Sequence, residues 1–155
     1  MFNDLSQYFF IFIASLIPFM EVMIAIPTGV VLFNLHPVTT TIVATAGNIM
    51  SIVIFVFLGK AIRKLSLKFQ RRSTRNKRQP NPKFEHFYTK YGVAGLSLLG
   101  TFLLSSQLTA TAIVSFEDSK GKATLWVSIA VVIIAILMMF LSIFASEWLS
   151  NLLNL

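Results

Sequence analysis

The sequence predicts an all-α integral membrane protein with two hydropathy repeats, each an interrupted, re-entrant hairpin segment followed by a transmembrane helix. Three observations carry that prediction. The 155 residues are 55% hydrophobic and 12% charged, with a mean hydropathy of +0.76, well beyond the roughly 45–50% apolar content of soluble domains. Two stretches, 38–58 and 124–146, hold no charged residue and supply the roughly 20 apolar positions that a helical span needs. Two others, 5–35 and 91–116, are nearly as apolar but carry helix breakers or polar residues at their centres.

Segment 5–35 is too long for one helix and too short for two full crossings with a turn. Its middle reads Pro18-Phe-Met-Glu21-Val-Met-Ile-Ala-Ile-Pro27-Thr-Gly29. Each proline lacks an N–H and collides with the preceding turn, so two helix breaks are expected. The halves of such a segment, about 11–15 residues or roughly 17–22 Å, reach the middle of a bilayer and return. Backbone freed there must be buried in protein or line a watery cavity. Pro37 suits the first turn of a helix, so span 38–58 has a clear start after Asn34-Leu35-His36, and Gly59-Lys60 mark its end.

The linker 60–90 follows. Leu58, Ala61, Ile62, Leu65 and Phe69 recur at helical spacing opposite a basic face, which predicts an amphipathic helix at the membrane surface. Gln79-Pro80-Asn81-Pro82 breaks it, and the aromatic residues of Phe84-Glu85-His86-Phe87-Tyr88 return the chain to the interface. Segment 91–116 is the second interrupted one, centred on Leu103-Leu104-Ser105-Ser106-Gln107, and 124–146 is the second plain span. The repeat is one of hydropathy only. Discontinuous helices meeting at the midplane are a recurring transporter design.

Of the 13 Lys and Arg, all but Lys120 and Lys122 lie between Lys60 and Lys90. Such asymmetry places the linker on the cytoplasmic side of a cell (inner) membrane in a multi-pass chain. Lys60, Arg63, Lys64, Lys68, Arg71 and Arg72 are the expected contact with anionic lipids, and no nucleic-acid partner is expected. If both interrupted segments re-enter, the two termini lie outside; if all four segments cross, both lie inside. Two plain spans cannot enclose a path, which predicts a homo-oligomer. The N-terminus lacks a basic n-region, so the first apolar segment is expected in the mature protein.

The 0 cysteines exclude a disulfide framework and thiol chemistry. No phosphate-binding glycine loop, dinucleotide fingerprint, zinc-protease motif or paired intramembrane carboxylate is present, and His36 and His86 stand apart. An enzyme, a cofactor and a metal site are therefore not expected.

Glu21 leads the candidates for a substrate or proton pathway, with Pro18 and Pro27 shaping the backbone around it. A charge at the bilayer centre costs about 2.5–3.5 kcal/mol on insertion scales for Asp, Lys or Arg, so a functional role is the default. Desolvation favours the protonated form of a carboxylate, which makes Glu21 a candidate proton carrier or cation site. The competing structural reading sets its carboxylate on the unpaired N–H groups of its own returning half-helix. Asn48 sits on a face of small and polar residues (Thr40, Thr41, Ala44, Thr45, Gly47, Ser51). That face either packs closely against another helix or walls a cavity facing Glu21. Ser105, Ser106 and Gln107, with Thr109 and Thr111, form the third cluster. Serine and threonine can bond back to their own helix, but Gln107 needs an outside partner.

Pro18-x-x-Glu21-x-x-x-Ala25-Ile26-Pro27-x-Gly29, then Gly47-Asn48 and, after a basic linker, Tyr91-Gly92-Val93-Ala94-Gly95-Leu96, together resemble the small multidrug export protein family, distantly DedA-like. The resemblance covers most of the chain; its first motif is the more specific. It implies two re-entrant hairpins facing each other and a transport role, with a small amphiphile or a lipid carrier as cargo. The chain departs from the family pattern in having Met23 where Arg is frequent, and in lacking a Pro- and Gly-rich second tip. Small multidrug resistance transporters also hold one early Glu, but they have brief loops and weak charge bias. The alternative from another class is a non-transporting membrane scaffold or accessory subunit, in which Glu21 and Asn48 only hold helices together.

Overall fold

The computed structural model describes the backbone of residues 4–70, 82–103, 105–116 and 120–153, and the side chains of residues 4–58, 91–103, 105–114 and 120–152. The described residues form six α-helices and no strand. Helix α1 (Asp4–Leu16) ends two residues before Pro18, as the restriction on residues preceding proline requires. A tight turn follows, closed by Ile17 N–H to the Ala14 carbonyl (3.1 Å) and Met20 N–H to the Ile17 carbonyl (3.2 Å). Phe19 takes a left-handed φ of 72° at its apex, a conformation costly for a bulky side chain.

Helix α2 (Glu21–Pro27) then starts at the acid. The expected second break, at Pro27, is not a break. Pro27 closes α2 and the chain runs straight on as a π-helical turn, Thr28–Leu32. The wider turn accommodates a ring that cannot donate to the preceding turn, and Phe33 N–H bonds the Thr28 carbonyl at 3.1 Å. Gly29 lies against Ile11 and Thr40 with no room for a side chain.

Helix α3 (Pro37–Gln70) continues unbroken from the apolar span Pro37–Leu58 into the amphipathic stretch. Helix α4 (Pro82–Leu103) kinks at Gly92, whose φ of 64° and ψ of −170° need a residue without Cβ. Helix α5 (Ser106–Phe116) returns the chain, and α6 (Lys120–Leu153) is the second long apolar helix. Arg71 and Arg72 lie outside the described residues, as do the side chains of Lys60, Arg63, Lys64 and Lys68.

The packing is crosswise. The long helices α3 and α6 lie against each other; α1 packs on α3 and α2 mainly on α6, while α4 packs on α6 and α5 mainly on α3. Lys120 Nζ sits 4.6 Å over the Phe57 ring, and Pro37 shares a cleft with Ser146 and Glu147, so α3 and α6 run antiparallel. Near its start α1 lies beside Val43, and Leu16 at its end meets Ser51; Gly29 on the return lies against Thr40. The first pair therefore turns back halfway along α3. The second pair turns back at the same level, where Ser106 and Gln107 meet Asn48 and Ser51, but comes from the opposite end. Ile11, Val22, Ile26, Ile52, Val56, Ile113, Val127 and Val131 form the apolar core between the helices, while Phe9, Ile42, Phe57, Phe140 and Phe144 face outward.

Candidate functional site

The two turns meet in the middle of the molecule. Glu21 occupies the first position of α2 and is 4% exposed. Its carboxylate accepts the Ser106 backbone N–H, at 2.8 Å to Oε1 and 3.1 Å to Oε2, and Ser105 Oγ lies 2.7 Å from Oε1. Glu21 stands at the start of the returning half-helix, as the sequence predicts, but its carboxylate serves another helix. It caps α5, on the opposing pair, rather than the first turn of α2. The reason is direction: helical side chains lean toward their own N-terminus, so a residue at that end points out of its helix and across to the facing one. One carboxylate thus sits where two helix starts converge, on the positive end of the α5 dipole.

Behind the carboxylate runs a buried polar chain. Ser105 Oγ is also 2.7 Å from Gln107 Oε1; Gln107 Nε2 donates to Ser51 Oγ at 3.0 Å; and Ser51 Oγ donates to the Leu16 carbonyl at 2.7 Å. That carbonyl is one that the end of α1 leaves without a partner in its own helix. On a side branch, Ser106 Oγ donates to Asn48 Oδ1 at 2.8 Å and lies 3.3 Å from Gln107 Oε1. Asn48, Ser106 and Gln107 are wholly buried and Ser105 is 3% exposed. Asn48 Nδ2, Thr101 Oγ1 and Thr109 Oγ1 are buried with no hydrogen-bond partner among the described residues. No Lys or Arg among the described residues pairs with Glu21; Met23, at the position where the resemblance expects Arg, packs against the core instead.

Of the candidates, Glu21, Asn48, Ser105, Ser106 and Gln107 come together within this cluster. Pro18 and Pro27 touch none of it through polar atoms and act on the backbone, one by the turn and one by the π-helical turn. Thr111 bonds back to the Gln107 and Leu108 carbonyls. Sequence reasoning missed Ser51 as a site residue and the Leu16 carbonyl altogether. Ser51 was within reach, three residues after Asn48 on the same face; the carbonyl carries no side-chain signal. The described residues hold no His, Cys, Asp or Glu group able to take a metal ion.

Residues 21–138 match the family described as putative small multi-drug export protein. The chain belongs to that family. The match begins at Glu21 itself, just after the first turn, and takes in the second turn and every side chain of the polar cluster. No curated protein and no solved structure matches. Membership of an export family, with two helices long and apolar enough to cross a bilayer, points to a membrane protein with a transport role.

Proposed function

We propose that the protein is a secondary transporter of a small amphiphile or lipid carrier, proton-coupled through Glu21. The two helix pairs are re-entrant hairpins that enter the bilayer from opposite faces and meet at the Glu21 cluster. The observation that carries this reading is a single acid, 4% exposed, spanning two helix starts with no basic partner among the described residues. Helix α1, at 13 residues, is about 20 Å long and falls short of the roughly 30 Å hydrocarbon core, whereas Pro37–Leu58 and Lys120–Leu152 are long enough. Backbone that ends in mid-bilayer is tolerable only when covered, and here each end is covered by the other pair. An apolar groove of about 480 Å³ along the outer face of α1, lined by Ser6, Gln7, Phe9, Phe10, Ile13 and Phe33, is of a size to take a hydrocarbon tail.

The basic linker lies on the cytoplasmic side against anionic lipids, both chain ends lie on the other side, and a homo-oligomer encloses the path. The chain is not an enzyme in this reading. A scaffold is the second reading, favoured by the fact that the hydrogen bonds of Glu21 among the described residues are all internal to the fold. Flux of an amphiphile into liposomes, with and without a pH gradient, separates the two. Under the transport reading Glu21→Gln folds and inserts but loses gradient-driven flux by tenfold or more. Full flux at every pH would rule out proton coupling through Glu21.

A further inference from the structure

The buried polar chain has one hydrogen fewer than it has contacts. It runs from Glu21 Oε1 to Ser105 Oγ (2.7 Å), the Gln107 amide (2.7 Å), Ser51 Oγ (3.0 Å) and the Leu16 carbonyl (2.7 Å). Each serine hydroxyl supplies one hydrogen. The Gln107 amide shows its oxygen to one serine and its nitrogen to the other, so it fills one contact only. The Leu16 carbonyl supplies none, and neither does an ionised carboxylate. Turning the amide end for end moves the gap without closing it. In one orientation Ser105 stands between two acceptors, and in the other Ser51 does. The side branch offers no remedy, because the Ser106 hydroxyl reaches only Asn48 Oδ1 and Gln107 Oε1.

We propose that a proton bound between Glu21 and Ser105 completes this chain, and that the protonated acid is the latch holding the two helix pairs together. This rests on the transport reading above and says where the proton is held and what it does. With the proton on Oε1, Glu21 donates to Ser105, Ser105 to Gln107, Gln107 to Ser51 and Ser51 to the Leu16 carbonyl. The Ser106 N–H then goes to Oε2, 3.1 Å away. In the amide orientation of the structure every contact of the chain holds one hydrogen, and the site is neutral with no basic partner among the described residues. Loss of the proton leaves two oxygens 2.7 Å apart with nothing between them, and the turns separate.

Among the described side chains, the other titratable groups are not part of the cluster, with His36 just before α3 and Tyr91 on α4. Helix α5 carries no titratable side chain; α1 carries Asp4 and Tyr8 in its first turns; α3 carries its basic residues beyond Leu58; α6 carries Lys120, Lys122 and Glu147 toward its ends. The transfer is a plain acid–base step. The O–H bond of Glu21 breaks, and the proton leaves to water or to an incoming group when the latch opens.

Infrared difference spectra of wild type against Glu21→Gln in lipid nanodiscs read the carboxylic C=O band with no flux required. The expected result is a protonated-carboxyl band in wild type, missing in Glu21→Gln. It weakens at the same pH in Gln107→Met, which frees the Ser105 hydrogen for the carboxylate. Carbon-labelled glutamate in wild type keeps the test available should a variant fail to fold. An ionised carboxylate in the folded wild type, or a carboxylate band that follows added sodium, overturns the proposal. The latch and the transport reading fail separately. A protonated Glu21 with full flux in Glu21→Gln keeps the latch and removes the coupling. An ionised Glu21 on which flux still depends does the reverse.

Discussion

The first helix pair, α1–α2, and the second, α4–α5, share a plan and differ in chemistry. Each is a helix, a break and a shorter return, followed by a long apolar helix. The first pair breaks at Pro18, with Phe19 in a left-handed conformation, and brings the acid. The second breaks without proline, at a turn that brings hydroxyls, an amide and a free backbone N–H. The difference teaches why the pairs are unlike in sequence although alike in shape. Two carboxylates facing each other in a buried site would repel, since like charges sharing a site cannot both ionise. One acid facing a helix start and two serines is satisfied. The packing differs as well. The first pair meets α3 backbone to side chain at Gly47, where a Cβ would strike Ser15 Oγ and come within 2.6 Å of the Phe12 carbonyl oxygen. The second closes on itself at Gly100, where a Cβ would first meet the Thr109 side chain, at 2.7 Å.

Glu21→Ala breaks the comparison most severely. It removes the acceptor of the Ser106 N–H and leaves that donor buried, so a loss of about 3 kcal/mol is expected from this unpaired group and the cavity together. The measurement is chemical unfolding in detergent, and a loss under 1 kcal/mol would show that the two turns do not depend on each other. Next comes the contrast between the glycines. Gly47→Ala drives a methyl into backbone and is expected to cost about 2–3 kcal/mol, whereas Gly100→Ala meets a side chain that can rotate and costs about half of that. Equal losses in the two unfolding midpoints would remove the distinction between rigid and yielding interfaces. The smallest effect belongs to Thr109→Val. Its hydroxyl is buried without a partner among the described residues, so replacing it by a methyl of the same shape is expected to leave stability unchanged or raise it by up to about 1 kcal/mol. A fall in the unfolding midpoint would mean that the Thr109 hydroxyl is held by water or by a ligand.

Much of the fold was legible in the sequence because membrane-like patterning is written in single residues. Runs without charge gave the two long helices, Pro37 gave the start of α3, and the polar centre at Leu103–Gln107 gave the second break. Pro27 misled, because proline specifies a missing N–H but not how the chain absorbs it; a wider helical turn answered the same constraint without ending the helix. The site was half legible. Glu21, Asn48 and Gln107 stood out as polar groups in apolar surroundings, which is a local property.

By itself, then, the sequence determined which groups had to be satisfied. Glu21 needed donors and Gln107 needed a partner beyond its own helix, because neither could be left bare in an apolar interior. Only the tertiary structure decided which partners answered. The acid went to α5 rather than to its own turn, and the Gln107 amide reached through Ser51 to a carbonyl of α1. Those choices depend on where helices from distant parts of the chain end. A helix end exposes backbone groups that look the same whatever residue bears them, so no side chain announced them in advance.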